Sequence, residues 1–349
     1  MRSDDDRAKW RARRWPRRAG LRKAGLTLCA ALTAALTLPA PGVRAQAQSS
    51  ATSTSLSLME ARTNSMIAQQ SDLLHFLTTR RKFNLYSKVT GDDGTLRLKT
   101  GNRLPVWAEA AANWSKLDGT ETETMSATLG FHMPRGEKLV YGVLLQVDHS
   151  GTGTTSDDKF AEGWLAGPYM IAQLTDHPLY FEGRLLYGQS RSKLTLPAGR
   201  VGYRSQRWQT RLKLSGEMPR ENVTWRPNLS FIYGATKHGA VTDSLGAGLP
   251  AQMVAIGRVT LGLDFDVPLT AEVGNFSLVG GLSGNWNSTA TGETAVALPG
   301  RNDGWAKARL GFRRTLPEGT VLGGQAYVEG LGSKTYENYG LTLNLTAKF

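Results

Sequence analysis

The sequence feature that most constrains the fold is an alternation of apolar and polar residues that recurs from Arg103 onward. The last twelve residues, NYGLTLNLTAKF, show it most clearly. Successive side chains of a β-strand point to opposite faces, so this stretch predicts a strand with one apolar and one polar face. The apolar parity consists of Tyr339, Leu341, Leu343, Leu345, Ala347 and Phe349.

The same pattern occurs in twelve segments of about ten residues each, and it predicts twelve antiparallel strands. In the third segment, for example, Tyr141, Val143 and Leu145 alternate with Gly142 and Gln146. The segments are 104–115, 123–133, 139–149, 162–174, 179–189, 207–217, 223–235, 253–267, 276–287, 304–314, 320–331 and 338–349.

A soluble β-sandwich also alternates, but aromatic residues at the segment ends favour a barrel that crosses a membrane. Tyr339 and Phe349 are ten steps apart on one face, which is roughly 25 Å at about 40° of tilt. This is the height of the apolar band between the aromatic girdles of an outer-membrane barrel. Aromatic residues stand at the ends of several segments, at Trp114, Trp164, Tyr187, Trp208, Trp225, Trp286, Tyr339 and Phe349.

The connections between segments also alternate in length. Short connections such as 134–138 and 315–319 contain proline, whereas 150–161, 190–206 and 236–252 are long and polar. Short periplasmic turns opposite long external loops produce this rhythm. The sequence therefore predicts an all-β fold, a twelve-stranded antiparallel transmembrane barrel whose last strand closes against the first so that no strand edge faces lipid.

Residues 1–45 have the features of an export signal. A basic stretch ends at Lys23, an apolar core runs from Ala24 to Leu38, and Val43-Arg-Ala45 resembles a cleavage site. This region holds 11 of the 42 basic residues, so the remaining chain carries a net charge of only +5, which is poor evidence for nucleic-acid binding. The single cysteine, Cys29, lies in this region, which excludes disulfides and cysteine chemistry from the mature chain.

Residues 46–101 are predicted to form a short passenger or linker ahead of the barrel domain, 102–349. Residues 46–56 are polar and of low complexity, and 57–80 show apolar residues at helical spacing after a capping box, Ser57-Leu-Met-Glu60. Residues 83–100 contain Gly-Asp-Asp-Gly between two alternating runs, which predicts a hairpin.

Ten charged residues fall on the polar parity of the predicted strands. An arginine or lysine facing lipid at the midplane would cost roughly 2–4 kcal/mol, so these residues are expected to face the pore. They would pair with one another, hold pore water, or contact Glu60, Arg62 and Asp72 of the helix. The predicted pore-lining residues are Glu109, Arg184, Arg207, Arg211, Lys213, Arg258, Asp264, Lys307, Arg309 and Glu329.

The sequence shows no motif for catalysis, a cofactor or a metal. The five histidines lack metal-ligand spacing. Asp148-His149-Ser150 is placed at the predicted outer rim, where an outer-membrane hydrolase would carry its catalytic groups. Adjacent strand residues point to opposite faces, however, so Asp148 and His149 are not expected to meet.

These features together resemble the autotransporter β-domain of type V secretion. The resemblance covers about residues 102–349 and rests on the strand count, the terminal Phe349 and two phrases, Gly163-Trp-Leu-Ala-Gly-Pro-Tyr169 and Leu179-Tyr-Phe-Glu-Gly-Arg-Leu-Leu-Tyr-Gly188. It implies a barrel in the outer membrane of a Gram-negative bacterium, with a preceding helix threaded through the pore. A helix packed outside the barrel remains the alternative.

The resemblance also implies partners. These are outer-membrane lipid and lipopolysaccharide, and a barrel-assembly machinery that reads the last strand, with Tyr339 and Phe349 as its signal. A monomer without nucleic acid is expected.

One departure from the family is large, because only residues 46–101 precede the barrel where a long passenger is usual. The passenger is vestigial, or lost or encoded elsewhere, or the barrel itself is the functional unit. The hypotheses are therefore a non-enzymatic translocator, a stand-alone pore or structural barrel, and, third, a rim-located hydrolase.

Overall fold

The computed structural model describes residues 50–68, 70–78, 82–90, 93–99, 105–117, 120–154, 157–196, 199–242, 248–269, 275–292, 301–317, 319–333 and 338–348. The predicted export signal, residues 1–45, and Phe349 lie outside these ranges.

Fourteen long strands occur among the described residues, and all their pairings are antiparallel. Twelve of them, β3 to β14, correspond one to one with the twelve alternating segments. The strands are β1 (Lys82–Thr90), β2 (Asp93–Lys99), β3 (Val106–Leu117), β4 (Thr120–Arg135), β5 (Leu139–Thr154), β6 (Asp157–Gln173), β7 (Leu179–Leu196), β8 (Gly199–Gly216), β9 (Thr224–His238), β10 (Gln252–Pro268), β11 (Phe276–Gly292), β12 (Arg301–Thr315), β13 (Val321–Leu331) and β14 (Asn338–Lys348). Three two-residue segments, Met218–Pro219, Val241–Thr242 and Gly248–Leu249, make short additional pairs.

The pairings form a circuit, as a barrel requires. Each strand pairs with the next in the chain, β9 pairs with both β8 and β10, and β1 pairs with both β2 and β14. The predicted count of twelve strands is therefore corrected to fourteen in the described circuit. The hairpin β1–β2 supplies the two additional strands, and β14 closes against β1 rather than against β3. Leu96 and Leu98 are exposed while Lys99 is buried, so β2 alternates as the other strands do.

Strand β5 shows which face of the sheet is apolar and exposed. Tyr141, Val143, Leu145 and Val147 are each at least 40% exposed, whereas Val140, Leu144, Gln146 and Asp148 are each at most 9% exposed. A soluble sandwich would bury its apolar face. An exposed apolar face around an interior that holds buried polar and charged side chains, such as Gln146 and Asp148, is the arrangement of a membrane barrel, as predicted.

The two ends of the sheet differ, although less than expected. Short turns at 136–138 and 174–178 connect strands at one end, here called the turn end. At the opposite end, the hairpin end, the predicted loops 150–161 and 190–206 are mostly strand, because β5 continues to Thr154 and β7 to Leu196. Their glycine, serine and threonine residues extend the ladders, as in the pairs Gly153–Asp158 and Ser192–Tyr203.

The predicted helix 57–80 is present with different bounds. Helix α1 spans Ser50–Ala68 and the single turn α2 spans His75–Thr78. Ser57 does not cap the helix but lies within it, where its Oγ donates to the Ser53 carbonyl at 2.9 Å. A polar stretch separates α1 from α2, and there Asp72 Oδ1 accepts a hydrogen bond from the Leu74 amide at 3.2 Å. None of the described helices has the length and hydropathy needed to cross a bilayer.

Candidate functional site in the barrel interior

Helix α1 and the residues after it lie along the inner face of β8. Ser55 Oγ donates to Tyr203 Oη at 3.3 Å, near the hairpin end. Farther along, Gln209 Nε2 donates to the Met66 carbonyl at 2.8 Å and Arg211 Nη1 donates to the Ser71 carbonyl at 2.8 Å. The helix segment and β8 therefore run in the same direction, from the hairpin end toward the turn end. Because these β8 side chains lie on the buried parity, the helix is inside the barrel, as predicted, and not packed outside it.

Asp148 on β5 holds the middle of the helix through two buried ion pairs. Its Oδ2 accepts from Arg62 Nη2 of α1 at 2.8 Å, and its Oδ1 accepts from Arg207 Nη1 of β8 at 2.5 Å. Arg62 also donates to Ser192 Oγ of β7 at 3.4 Å. All three charged side chains are at most 6% exposed, so each guanidinium depends on this carboxylate for its counter-charge.

The backbone that follows α1 is held by cationic side chains. Arg97 Nη1 donates to the Gln70 carbonyl at 2.9 Å, and Lys99 Nζ donates to the Asp72 carbonyl at 2.5 Å. These carbonyls lie beyond the end of α1 and have no helical partner, and a backbone carbonyl inside the barrel needs a donor, which the two cations provide. These donors come from β2, which means that the N-terminal hairpin is part of the site.

Glu182 on β7 completes the contacts at this level. Its Oε1 accepts from Arg211 Nη1 at 2.7 Å, and its Oε2 accepts from the Leu73 amide at 3.3 Å. Arg211 therefore bridges the carboxylate and the Ser71 carbonyl. This combination fixes the position of Leu73 before the chain enters α2.

An aromatic cluster occupies the interior around α2. The Phe76 ring lies 5.2 Å from Trp107 and 4.7 Å from His132, centroid to centroid. Trp107 Nε1 donates to Tyr169 Oη at 2.9 Å, and Lys99 Nζ lies 4.8 Å from the centre of the Phe76 ring. Phe76 and Trp107 are buried, so this cluster fills the space between α2 and the strands rather than lining open water.

Trp107 packs directly on the backbone of Gly130, which gives a steric prediction. A Cβ atom at position 130 would lie 2.2 Å from Cε2 and Nε1 of Trp107. Gly130→Ala is therefore expected to displace the ring, break its hydrogen bond to Tyr169, and lower the free energy of unfolding by about 1–3 kcal/mol. Urea unfolding in detergent, followed by heat-modifiable gel migration, measures this. Gly284→Ala is the control, because its Cβ would meet nothing within 4 Å; equal losses would contradict the packing argument.

The interior along β11 to β13 and the turn-end half of β10 is more open than the interior beside the helix, which packs against Val254 and Ile256 in the hairpin-end half of β10. Asp264 pairs with Arg309, and their side chains are 27% and 36% exposed. Lys307 Nζ lies 2.8 Å from Glu329 Oε2, with side chains 23% and 15% exposed. Asp148 and Arg207, by contrast, are at most 6% exposed. The helix therefore lies to one side of the interior and leaves a polar, partly solvated side opposite.

The ten predicted pore-lining residues all lie on the inward parity, and their role in a pore stays a prediction. Most of them pair with one another or with the helix segment. Glu109 pairs with Arg97 and Lys99, Lys213 with Asp72 at 3.9 Å, and Arg258 with Asn287, while Arg184 is buried near Arg211 and Glu182.

The proposed assembly signal is only partly described. Tyr339 is 68% exposed on the outer face, and Phe349 lies outside the described residues.

The arrangement around His149 does not form a catalytic pair. Asp148 is buried and inward, whereas the His149 side chain is 50% exposed on the outer face, with Nδ1 3.6 Å from Glu162 Oε1. The expectation that these neighbours do not meet is confirmed. No cluster of three or more potential metal-ligating side chains occurs in the part of the chain that the structure describes.

Two important residues were not among the predicted pore-lining set. Asp148 directly follows the outward Val147, so the alternation alone predicts that its side chain faces inward and is buried. Glu182 likewise lies between the outward Phe181 and Gly183. Their partners on the helix are not visible in an alternation pattern, because they depend on the three-dimensional position of α1.

A family model for the autotransporter beta-domain matches residues 106–327, which is well over half of the chain. The chain belongs to this family. An autotransporter beta-domain is an outer-membrane translocator barrel, and the all-β antiparallel fold with its inner helix agrees with that assignment. The match begins at β3, so the hairpin β1–β2 that completes the circuit lies before it.

Three solved autotransporter structures are similar to this chain at low identity. The beta domain of the Bordetella autotransporter BrkA has 13% identity and a TM-score of 0.46, covering 77% of this chain and all of the other. The translocator domain of NalP from Neisseria meningitidis has 14% identity and a TM-score of 0.46, covering 85% and 95%. The transport unit of AIDA-I from Escherichia coli has 9% identity and a TM-score of 0.44, covering 83% and 97%. Membership rests on the family model and not on these scores, and no curated protein matches significantly.

Proposed function

We propose that this translocator barrel carries the residues preceding Ser50 to the cell surface and retains α1 in its interior afterwards. The observation that supports this is the direction of the inner segment. Gln252 Nε2 donates to the Thr52 carbonyl at 3.2 Å near the hairpin end, whereas the Leu73 amide contacts Glu182 near the turn end. Helix α1 therefore has its first residues near the hairpin end, which is the external end when short turns face the periplasm.

The proposed role needs no catalytic group. It requires an export signal at residues 1–45, insertion by an assembly machinery that reads the last strand, and a lipid environment around the apolar outer face. Packing of Leu56, Met59 and Ile67 of α1 against apolar side chains of β9 and β10 buries apolar surface, which supplies a favourable free-energy change once the segment is threaded. The short segment 46–49 would be a vestigial passenger.

A second candidate, a stand-alone pore, is favoured by the partly solvated side of the interior along β11 to β13 and the turn-end half of β10. There the charged side chains of Asp264, Lys307 and Arg309 are partly exposed to water although they lie inside the barrel. Such a pore would conduct ions past the helix. It would not require residues 46–49 to reach the surface, so exposure of those residues distinguishes the two functions.

Surface labelling tests the translocator hypothesis, and the mature chain is suited to it because Cys29 is the single cysteine of the sequence. Single-cysteine variants Ser49→Cys, Gly239→Cys and Asp176→Cys are treated in intact cells with a membrane-impermeant maleimide. We expect labelling at positions 49 and 239, and labelling at position 176 only after lysis, since Asp176 lies in an exposed short turn.

The pattern of labelling separates orientation from translocation. Labelling at 239 with protection at 49 would contradict passenger export while leaving the barrel orientation intact. Labelling at 176 in intact cells would instead show that the barrel has the opposite orientation.

A further inference from the structure

The outer face of the β7–β8 hairpin changes character in a regular order toward its tip. Apolar side chains are followed by aromatic, then amide, then cationic ones, all on the exposed parity. Tyr187 and Trp208 form an aromatic pair with ring centroids 5.9 Å apart. The directly opposed outward pairs, in order, are Leu185–Thr210, Tyr187–Trp208, Gln189–Gln206 and Arg191–Arg204, and Lys193 follows on β7.

Arg191 and Arg204 are placed directly opposite each other, which is unfavourable without a counter-ion. Like charges at opposed positions of an antiparallel pair destabilise a sheet. Lys193 adds a third cation about 7 Å farther along the same face. All three side chains are exposed.

No described ion pair neutralises this cluster. Glu162 of β6 is opposite Arg191 in register, but its Oε1 lies 3.6 Å from His149 on its other side. Within the described ranges, no ion pair includes Arg191, Lys193 or Arg204. The hairpin tip therefore has an excess of positive charge on the face that continues the lipid-facing surface.

Arg191 and Arg204 lie just beyond the depth of lipid headgroups, and Lys193 lies roughly 5 Å farther out along the membrane normal. Arg191 is four residues beyond Tyr187, which is about 13 Å along the strand and roughly 10 Å along the membrane normal at about 40° of tilt. Aromatic girdles mark the boundary of the hydrocarbon, and the headgroup layer extends roughly 5–8 Å beyond it. Long arginine side chains reach back over the remaining distance.

We propose that Arg191, Lys193 and Arg204 bind the phosphate groups of an outer-leaflet glycolipid. Guanidinium groups bind phosphate through two parallel, charge-assisted hydrogen bonds, and a phosphate between two opposed arginines removes their mutual repulsion. The apolar surface below the cluster, including Leu185, contacts the acyl chains of the same molecule. The assignment to the outer leaflet rests on the proposed function, which places the hairpin end outside.

Binding of lipid A to the detergent-purified, folded full-length mature protein tests the proposal, measured by native mass spectrometry or by displacement of a fluorescent lipid A. The test variant is Arg191→Gln, Lys193→Gln, Arg204→Gln. The control variant, Arg135→Gln, Lys138→Gln, Arg314→Gln, also removes two arginines and one lysine, but from exposed positions at the turn end. We expect at least about a tenfold loss of affinity in the test variant only, since each charge-assisted hydrogen bond is strong.

Four outcomes would overturn the proposal. Three are equal affinity of the test variant and the parent, an equal loss in the control variant, and equal affinity of the parent for lipid A and its dephosphorylated form. The fourth is complete displacement of lipid A by millimolar inorganic phosphate, which would identify a free-phosphate site instead. Heat-modifiable migration confirms folding, and Arg204→Gln alone, expected to lose at least about threefold, provides a milder variant.

The measurement uses purified protein and is independent of membrane orientation. Lipid A binding together with an inverted labelling pattern would therefore reject the proposed function while retaining the phosphate site, and the reverse result would reject the site alone.

Discussion

Asp148→Asn is expected to lower the free energy of unfolding by about 3–5 kcal/mol, the largest loss from any single substitution considered for this barrel. The side chain keeps its shape but loses its charge, and Arg62 and Arg207 remain buried beside each other without a counter-charge. Urea unfolding of the detergent-refolded mature protein, followed by heat-modifiable migration, measures the loss. A shift to lower urea at unchanged slope would show that stability, and not the extent of folding, has changed.

The matched control for this substitution is Asp264→Asn. Asp264 also faces inward and also pairs with an arginine, Arg309, but both side chains are partly exposed, so solvent screens the pair. The expected loss is under about 1 kcal/mol. Adding Arg62→Met to Asp148→Asn is expected to recover part of the larger loss, because only one guanidinium then lacks a partner. Equal losses at Asp148 and Asp264, without recovery in the double variant, would contradict the role given to burial.

Deletion of residues 46–78 is expected to raise single-channel conductance in planar bilayers several-fold. A helix with its side chains is about 10–12 Å across, so its removal together with α2 clears most of one side of the interior. The deletion stops before Lys82 so that β1 keeps its pairing with β14. The partly solvated side along β11 to β13 and the turn-end half of β10 is expected to give the parent protein only a small conductance.

A point variant separates the effect of the plug from damage to the barrel. Phe76→Ala removes the ring that packs against Trp107 and His132 without shortening the chain. It is expected to increase the frequency of brief openings while the main conductance level stays that of the parent. A deletion variant that is folded but conducts no more than the parent would show that α1 and α2 do not block the pore.

The alternation predicts nearly all of the sheet, because lipid-facing and inward-facing positions alternate along each strand and require apolar and polar side chains respectively. Tyr141 and Val143 face lipid while Gln146 and Asp148 face inward, as parity alone requires. The extension of the strands into the hairpin tips is not predicted by the sequence pattern. Glycine, serine and threonine around Gly153 and Ser192 are typical of loops, but here their backbones pair across extended ladders, and composition does not report pairing.

Sequence patterns predict the helix and the hairpin β1–β2 but not where the helix begins or which strand the hairpin pairs with. Position Ser57 fits a capping box, yet the helix begins at Ser50, since contacts with Tyr203 and Gln252 stabilise an earlier start. The sequence of residues 83–100 predicts a hairpin, but nothing in that stretch indicates that its first strand pairs with β14. The Asp148 ion pairs likewise join residues 86 and 59 positions apart in the chain, a distance that no periodicity spans.

The pairing of β1 with β14 would impose an order of events on the proposed export. The strand that completes the seam begins only a few residues after α2, so the segment held in the lumen and the strand that closes the wall are almost contiguous in the chain. If the residues before α1 are exported as proposed, we expect the β1–β14 seam to close only after that stretch has entered the lumen.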